Sequence, residues 1–228
     1  MTPSPDASAL RQPYVRVARP NPSYGGSQMW AEDRNMRGFG CGVIAAADLI
    51  LYLHRARPEL HIPVPESLDT SEPLPAAEYM AFTGWLRKKY LRIWPKVGIN
   101  GLSLAWGLNR FFRKNDVPLR TRWCMSRKKL WKRMAAMLAA DIPVIFSAGP
   151  SVPRFWRKGY LPLHGFAGGT DSRARAHFMT ATGLTETEMT ASSWGRRYRI
   201  DRREFEEYQR TASCGTVTNV LRVYEKKR

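Results

Sequence analysis

The chain has 228 residues, enough for one substantial core, and its 43% hydrophobic and 11% aromatic content excludes a largely disordered protein. Lysine and arginine number 37 against 19 aspartate and glutamate, a formal charge of +18 that points to anionic partners and says nothing of fold. Three scattered cysteines, Cys41, Cys124 and Cys214, exclude a disulfide framework.

Residues 1–27 are rich in proline, serine and arginine and read as a flexible leader, followed by a single domain over residues 28–228. No apolar stretch follows a basic start, and none approaches ~18 residues, so neither a secretory signal nor a membrane span is expected. With free thiols, this gives a cytoplasmic location as the expectation.

Gly38-Phe39-Gly40-Cys41-Gly42 reads as a glycine-rich approach to an apolar helix that starts near Cys41 and ends before Pro58. Five prolines between Pro58 and Pro75 mark an irregular loop. Helices follow over residues 76–91, with Thr70 or Ser71 as cap, over 102–114, and over 126–140, capped by Ser126. Residues 144–146 form a short apolar strand, and residues 150–175 read as one long loop. Alternation then predicts strands over 177–182, 188–193, 197–200 and 216–224, interrupted by a helix over 202–209. Helices first and strands later give an α+β fold with a mainly antiparallel sheet.

A cysteine at a helix N-terminus sits where unpaired N–H groups favour thiolate, the form a nucleophile needs. Among the four histidines, His177 opens an alternating strand, 136 residues after Cys41, and is the candidate base. Asn35, six residues before Cys41, carries an amide able to face a developing oxyanion, and Gln28 is its rival if the approach loop folds back. On the strand after His177 stands Ser192-Ser193-Trp194-Gly195. Asp201 is a rival polar partner for the imidazole and reads better as the N-cap of the helix after it. No cysteine pair, His-Glu-x-x-His motif, P-loop or Gly-x-Ser-x-Gly elbow is present, so no metal or cofactor is expected.

These pieces, residues 35–53, 142–149 and 177–200, cover a little over a fifth of the chain and resemble the papain-like cysteine peptidases, in the style of bacterial double-glycine-leader (bacteriocin-processing) peptidases. The resemblance implies a papain-like fold, Cys41 as nucleophile and His177 as base. Asn35 stands in place of the family's oxyanion-hole glutamine. Ser192 stands where the family has the asparagine that orients the imidazole. The implied activity is hydrolysis of a peptide or amide bond in a peptide or protein substrate, through an acyl-enzyme.

Between Arg87 and Arg133 the chain carries fifteen basic residues and a single acid, Asp116, with Tyr90, Trp94, Phe111, Phe112, Trp123 and Trp131 among them. This segment reads either as a face for nucleic acid, anionic lipid or an acidic polypeptide, or as a solvated surface over aromatic core positions. It supports an alternative function, a non-catalytic binding protein that holds an anionic partner.

Overall fold

A computed structural model describes residues 8–21, 23–151, 159–166, 169 and 171–226. In chain order its elements are β1 (Ser8–Ala9), α1 (Arg34–Phe39), α2 (Cys41–Ala56), α3 (Ala76–Lys89), α4 (Gly101–Lys114), β2 (Leu119–Trp123), α5 (Leu130–Ala139), β3 (Val144–Ala148), β4 (Leu161–Gly165), β5 (Ser172–Ala174), β6 (His177–Leu184), β7 (Glu188–Ser193), β8 (Arg196–Asp201), α6 (Arg202–Thr211) and β9 (Leu221–Glu225). Seven strands make one sheet in the order β1-β6-β7-β8-β4-β5, with β3 also paired to β6. Every pairing within it is antiparallel. β2 and β9 form a separate antiparallel pair. The architecture is α+β.

The apolar run behind Cys41 becomes α2, whose residues from Gly42 through Leu53 are all buried. A helix apolar on every side needs neighbours on every side, and α2 packs against β6, β3 and α3. β6 is the central strand, buried along its whole length. The N-terminus of α2 and the first residue of β6 therefore meet at one edge of the core.

Several local expectations are corrected. The segment expected to be a flexible leader is, from Ser8 on, a strap built into the core. β1 extends the sheet, Tyr14, Val15 and Val17 are buried, and Leu10 N–H donates to the Thr182 carbonyl at 3.0 Å. Residues 1–7 lie outside the described residues. The approach to Cys41 is helical: Asp33 caps α1 by accepting from Met36 N–H at 2.6 Å. Pro75, not Thr70 or Ser71, occupies the N-cap position of α3, and α5 begins at Leu130, after Lys129 in a left-handed conformation. The long loop expected over 150–175 contains β4 and β5. Among the described residues, no helix is long and apolar enough to cross a membrane.

In the basic segment, Tyr90, Phe111, Phe112, Trp123 and Trp131 are buried core residues, while most of the interleaved charges lie at the surface. Trp94 and Trp106 are the exposed aromatics, with the Arg92 guanidinium 4.3 Å from the Trp94 ring centre and that of Arg110 5.9 Å from Trp106.

Candidate active site

Cys41 is the first residue of α2, with Gly40 at the N-cap. Gly42 lets β6 come close behind it: a Cβ there would stand 2.5 Å from Ile99 and 3.3 Å from the Phe178 ring. This brings the backbone N–H of Phe178, the neighbour of His177, near enough to the Cys41 sulfur to favour its thiolate. Cys41 and His177 together line two cavities. One is a small space of about 20 Å³ between α2 and the β6–β7 hairpin, and the other is an open cleft of about 690 Å³.

His177 is held on two sides. Its Nε2 is 2.9 Å from Ser193 Oγ, and its ring stacks on Trp194 with centroids 4.3 Å apart and planes 18° off parallel. Trp194 and Gly195 form the two-residue turn between β7 and β8, with φ of 49° and 73°. A two-residue hairpin of this type needs left-handed backbone at both positions, which glycine accepts readily and tryptophan does not. The turn thus holds an indole against the imidazole at the expense of local backbone preference.

Electrostatically the pair differs from the thiolate expected at a helix start. Burial pushes the Cys41 thiol up, against the lowering effect of the backbone N–H groups of Phe178, Gly42 and Cys41 itself. Burial also pushes His177 down to about 3. Desolvation disfavours both charged forms, so the resting site is neutral thiol and neutral imidazole, and the helix N-terminus does not overcome it.

Two of the expected site residues have other positions. Ser192 lies opposite Thr180, one residue out of phase with His177, and its hydroxyl donates to the Tyr24 carbonyl at 2.8 Å. Side chains alternate faces along a strand, so the hydroxyl beside His177 is that of Ser193. Asn35 sits on α1 and lines neither cavity. The amide that faces both cavities belongs to Gln28, buried in a short 3-10 turn, with Nε2 donating to the Arg37 carbonyl at 3.2 Å. Asp201 caps α6, accepting from Arg203 and Glu204 N–H.

Asp48 was not singled out from the sequence. It lies two helical turns after Cys41, on the same face of α2, and also lines the small cavity. Its carboxyl accepts from Gly26 N–H at 3.0 Å, Tyr79 OH at 2.7 Å and Tyr14 OH at 3.3 Å. Burial raises it to about 7 despite these donors. Gly25, at φ 74°, passes between Asp48 and Ser192, where a Cβ would stand 2.7 Å and 2.2 Å from their oxygens. Asp48 and Ser192 thus fasten the strap that leads into Gln28. A lone aspartate in an otherwise apolar run, Ala47-Asp48-Leu49, was the signal for it.

Among the described residues no group of three or more His, Cys, Asp or Glu side chains is gathered as for a metal ion. No protein-family model matches the chain. No curated protein matches it either.

Proposed function

We propose that this protein is a papain-like thiol hydrolase that cleaves a peptide or amide bond through an acyl-enzyme on Cys41. The observation that carries the reading is that the Cys41 sulfur at a helix start and the His177 imidazole at a strand start open onto one cleft. With Nε2–H directed to Ser193 Oγ, Nδ1 of His177 is left to accept the thiol proton as sulfur attacks the carbonyl carbon. The resulting oxyanion lies toward Gln28 and the backbone N–H at the helix start. Collapse breaks the C–N bond, and the imidazolium returns its proton to the departing amine. Water then attacks the thioester, giving up a proton to His177 and releasing the acid and the thiol. Burial favours the neutral form of both resting groups, so the thiol proton has to pass to the imidazole in the course of the reaction.

The test is labelling by a peptidyl acyl probe, mapped to the modified residue. Mapping matters because Cys214 is a competing thiol. Burial raises it, but the Thr216 hydroxyl at 2.9 Å, backbone N–H groups and Arg127 outweigh that and lower it from its ordinary value. Adduct at Cys41, absent in Cys41→Ala and in His177→Ala, is the expected result. Labelling confined to Cys214 overturns the proposal.

The raised Cys41 thiol also favours a second reading, a non-catalytic peptide-binding protein of the same fold. A thiol that remains unreactive when the cleft is occupied by peptide selects it.

A further inference from the structure

The cleft that holds Cys41 and His177 has two chemically distinct parts. Near α4 it presents apolar side chains to solvent: Val97 is 78% exposed, Leu102 61% and Met125 52%. Apolar groups left this open beside a reactive thiol form a shelf for apolar side chains of a bound chain. The segment that leads from β5 into His177 contributes Arg173 and Arg175 to the same cleft. Among the described residues, no aspartate or glutamate lines the cleft.

The two arginines are arranged as a pair. Both guanidinium carbons lie over the Tyr160 ring, at 4.8 Å for Arg173 and 6.0 Å for Arg175. Neither is joined to a carboxylate among the described residues, whereas Arg16, Arg55, Arg57, Arg87, Arg199 and Arg210 each are. Stacking occupies the flat face of a guanidinium and leaves its edge N–H donors free, the edge that binds a carboxylate with two hydrogen bonds. The nearest acid in the chain, Asp171, two residues before Arg173, accepts from Gly165 N–H at 2.7 Å and forms no ion pair with either arginine among the described residues.

We propose that the cleft selects peptides bearing an acidic side chain, held by Arg173 and Arg175, with apolar neighbours seated on Val97, Leu102 and Met125. Placing that side chain relative to a scissile bond rests on the hydrolase reading above. Arg175 is two residues before His177, so the two Cα atoms lie within ~7 Å of each other, which puts the acidic residue on the part of the substrate that flanks the reacting carbonyl.

The experiment measures binding apart from chemistry. Fluorescein-labelled octapeptide pools of Ala, Leu, Phe and Ser, carrying glutamate, glutamine or lysine at one fixed position, are titrated into the Cys41→Ala protein. The glutamate pool is expected to bind at least tenfold tighter than the glutamine pool, with the lysine pool weakest. Arg173→Ala/Arg175→Ala should erase that preference, and Arg173→Glu/Arg175→Glu should transfer it to lysine. Arg113→Ala/Lys114→Ala removes the same charge from the end of α4 and should leave the preference intact, which separates the pair from the general +18 charge. Equal binding of the glutamate and glutamine pools, binding of no pool, or a preference that survives loss of the pair overturns the proposal. Incubation with the wild-type protein then addresses the hydrolase reading separately: acid-selective binding without cleavage upholds the arginine pair and overturns hydrolysis.

Discussion

His177 and Asp48 border the same small cavity between α2 and the β6–β7 hairpin, and burial acts on them in opposite directions. It lowers the imidazole to about 3 and raises the carboxyl to about 7, so that each favours its uncharged form. They differ in how the rest of their hydrogen-bonding capacity is used. Asp48 is surrounded by donors from the strap and α3 and has nothing left to offer a substrate. His177 has one nitrogen engaged by Ser193 and opens onto the large cleft. A perturbed titration marks burial in both cases, and access to the cleft separates a candidate base from a fastening.

The contrast can be broken most forcefully at Asp48. Asp48→Ala strands the Gly26 N–H and two tyrosine hydroxyls, and at ~1–3 kcal/mol for each buried unmet group the loss should be on the order of 3–5 kcal/mol. Asp48→Asn keeps a carbonyl acceptor and should lose much less. Urea unfolding of both variants measures the difference, and a mild effect of Asp48→Ala would show that the strap does not depend on this carboxyl.

Stability against pH sharpens the same comparison. Asp48 is raised when folded, so its contribution is present below the unfolded value near 3.8 and is lost as pH rises through about 7. His177 is depressed when folded, so its contribution is present above 6.5 and is lost as pH falls toward about 3. Between pH 4 and 6.5 the two slopes oppose each other at ~1.4 kcal/mol per pH unit. Asp48→Asn should therefore leave stability rising with pH across this window relative to wild type, and His177→Gln should leave it falling. Parallel curves for all three proteins would remove both shifts from the account.

The adjacent serines give the smallest effects. Ser192→Ala should cost about 1 kcal/mol by releasing the Tyr24 carbonyl, with kcat on a cleavable peptide nearly unchanged. Ser193→Ala should instead lower kcat with little change in KM, because the imidazole loses its orienting contact. Identical kinetics for the two variants would undo the distinction between the faces of β7.

Where the chain was legible, one local rule governed the outcome. α2 follows from an apolar run bounded by glycine and Arg57-Pro58, and β6, β7 and β8 follow from alternation. Cys41 and His177 were readable because each opens such an element. The phase that favours Ser193 over Ser192 was not, since the β6–β7 register shifts between Ala181 and Gly183, and a bulge breaks any count along the strand. The strap that leads into Gln28 was obscured for a different reason. Polar, proline-rich sequence folds inward there because Asp48 and Ser192, far along the chain, supply its hydrogen bonds. β4 and β5 are short strands whose place depends on distant β8, so glycine and proline dominated their local reading.

The turn after β7 carries an evolutionary implication. Asparagine or glycine at position 194 would suit a left-handed φ of 49° better than tryptophan does. Selection for thermal robustness alone should therefore drift toward a small residue there and leave the imidazole without its ceiling. A lineage that retains the indole would be trading hairpin comfort for a rigid base, and a screen that scores only melting temperature would discard that exchange unnoticed.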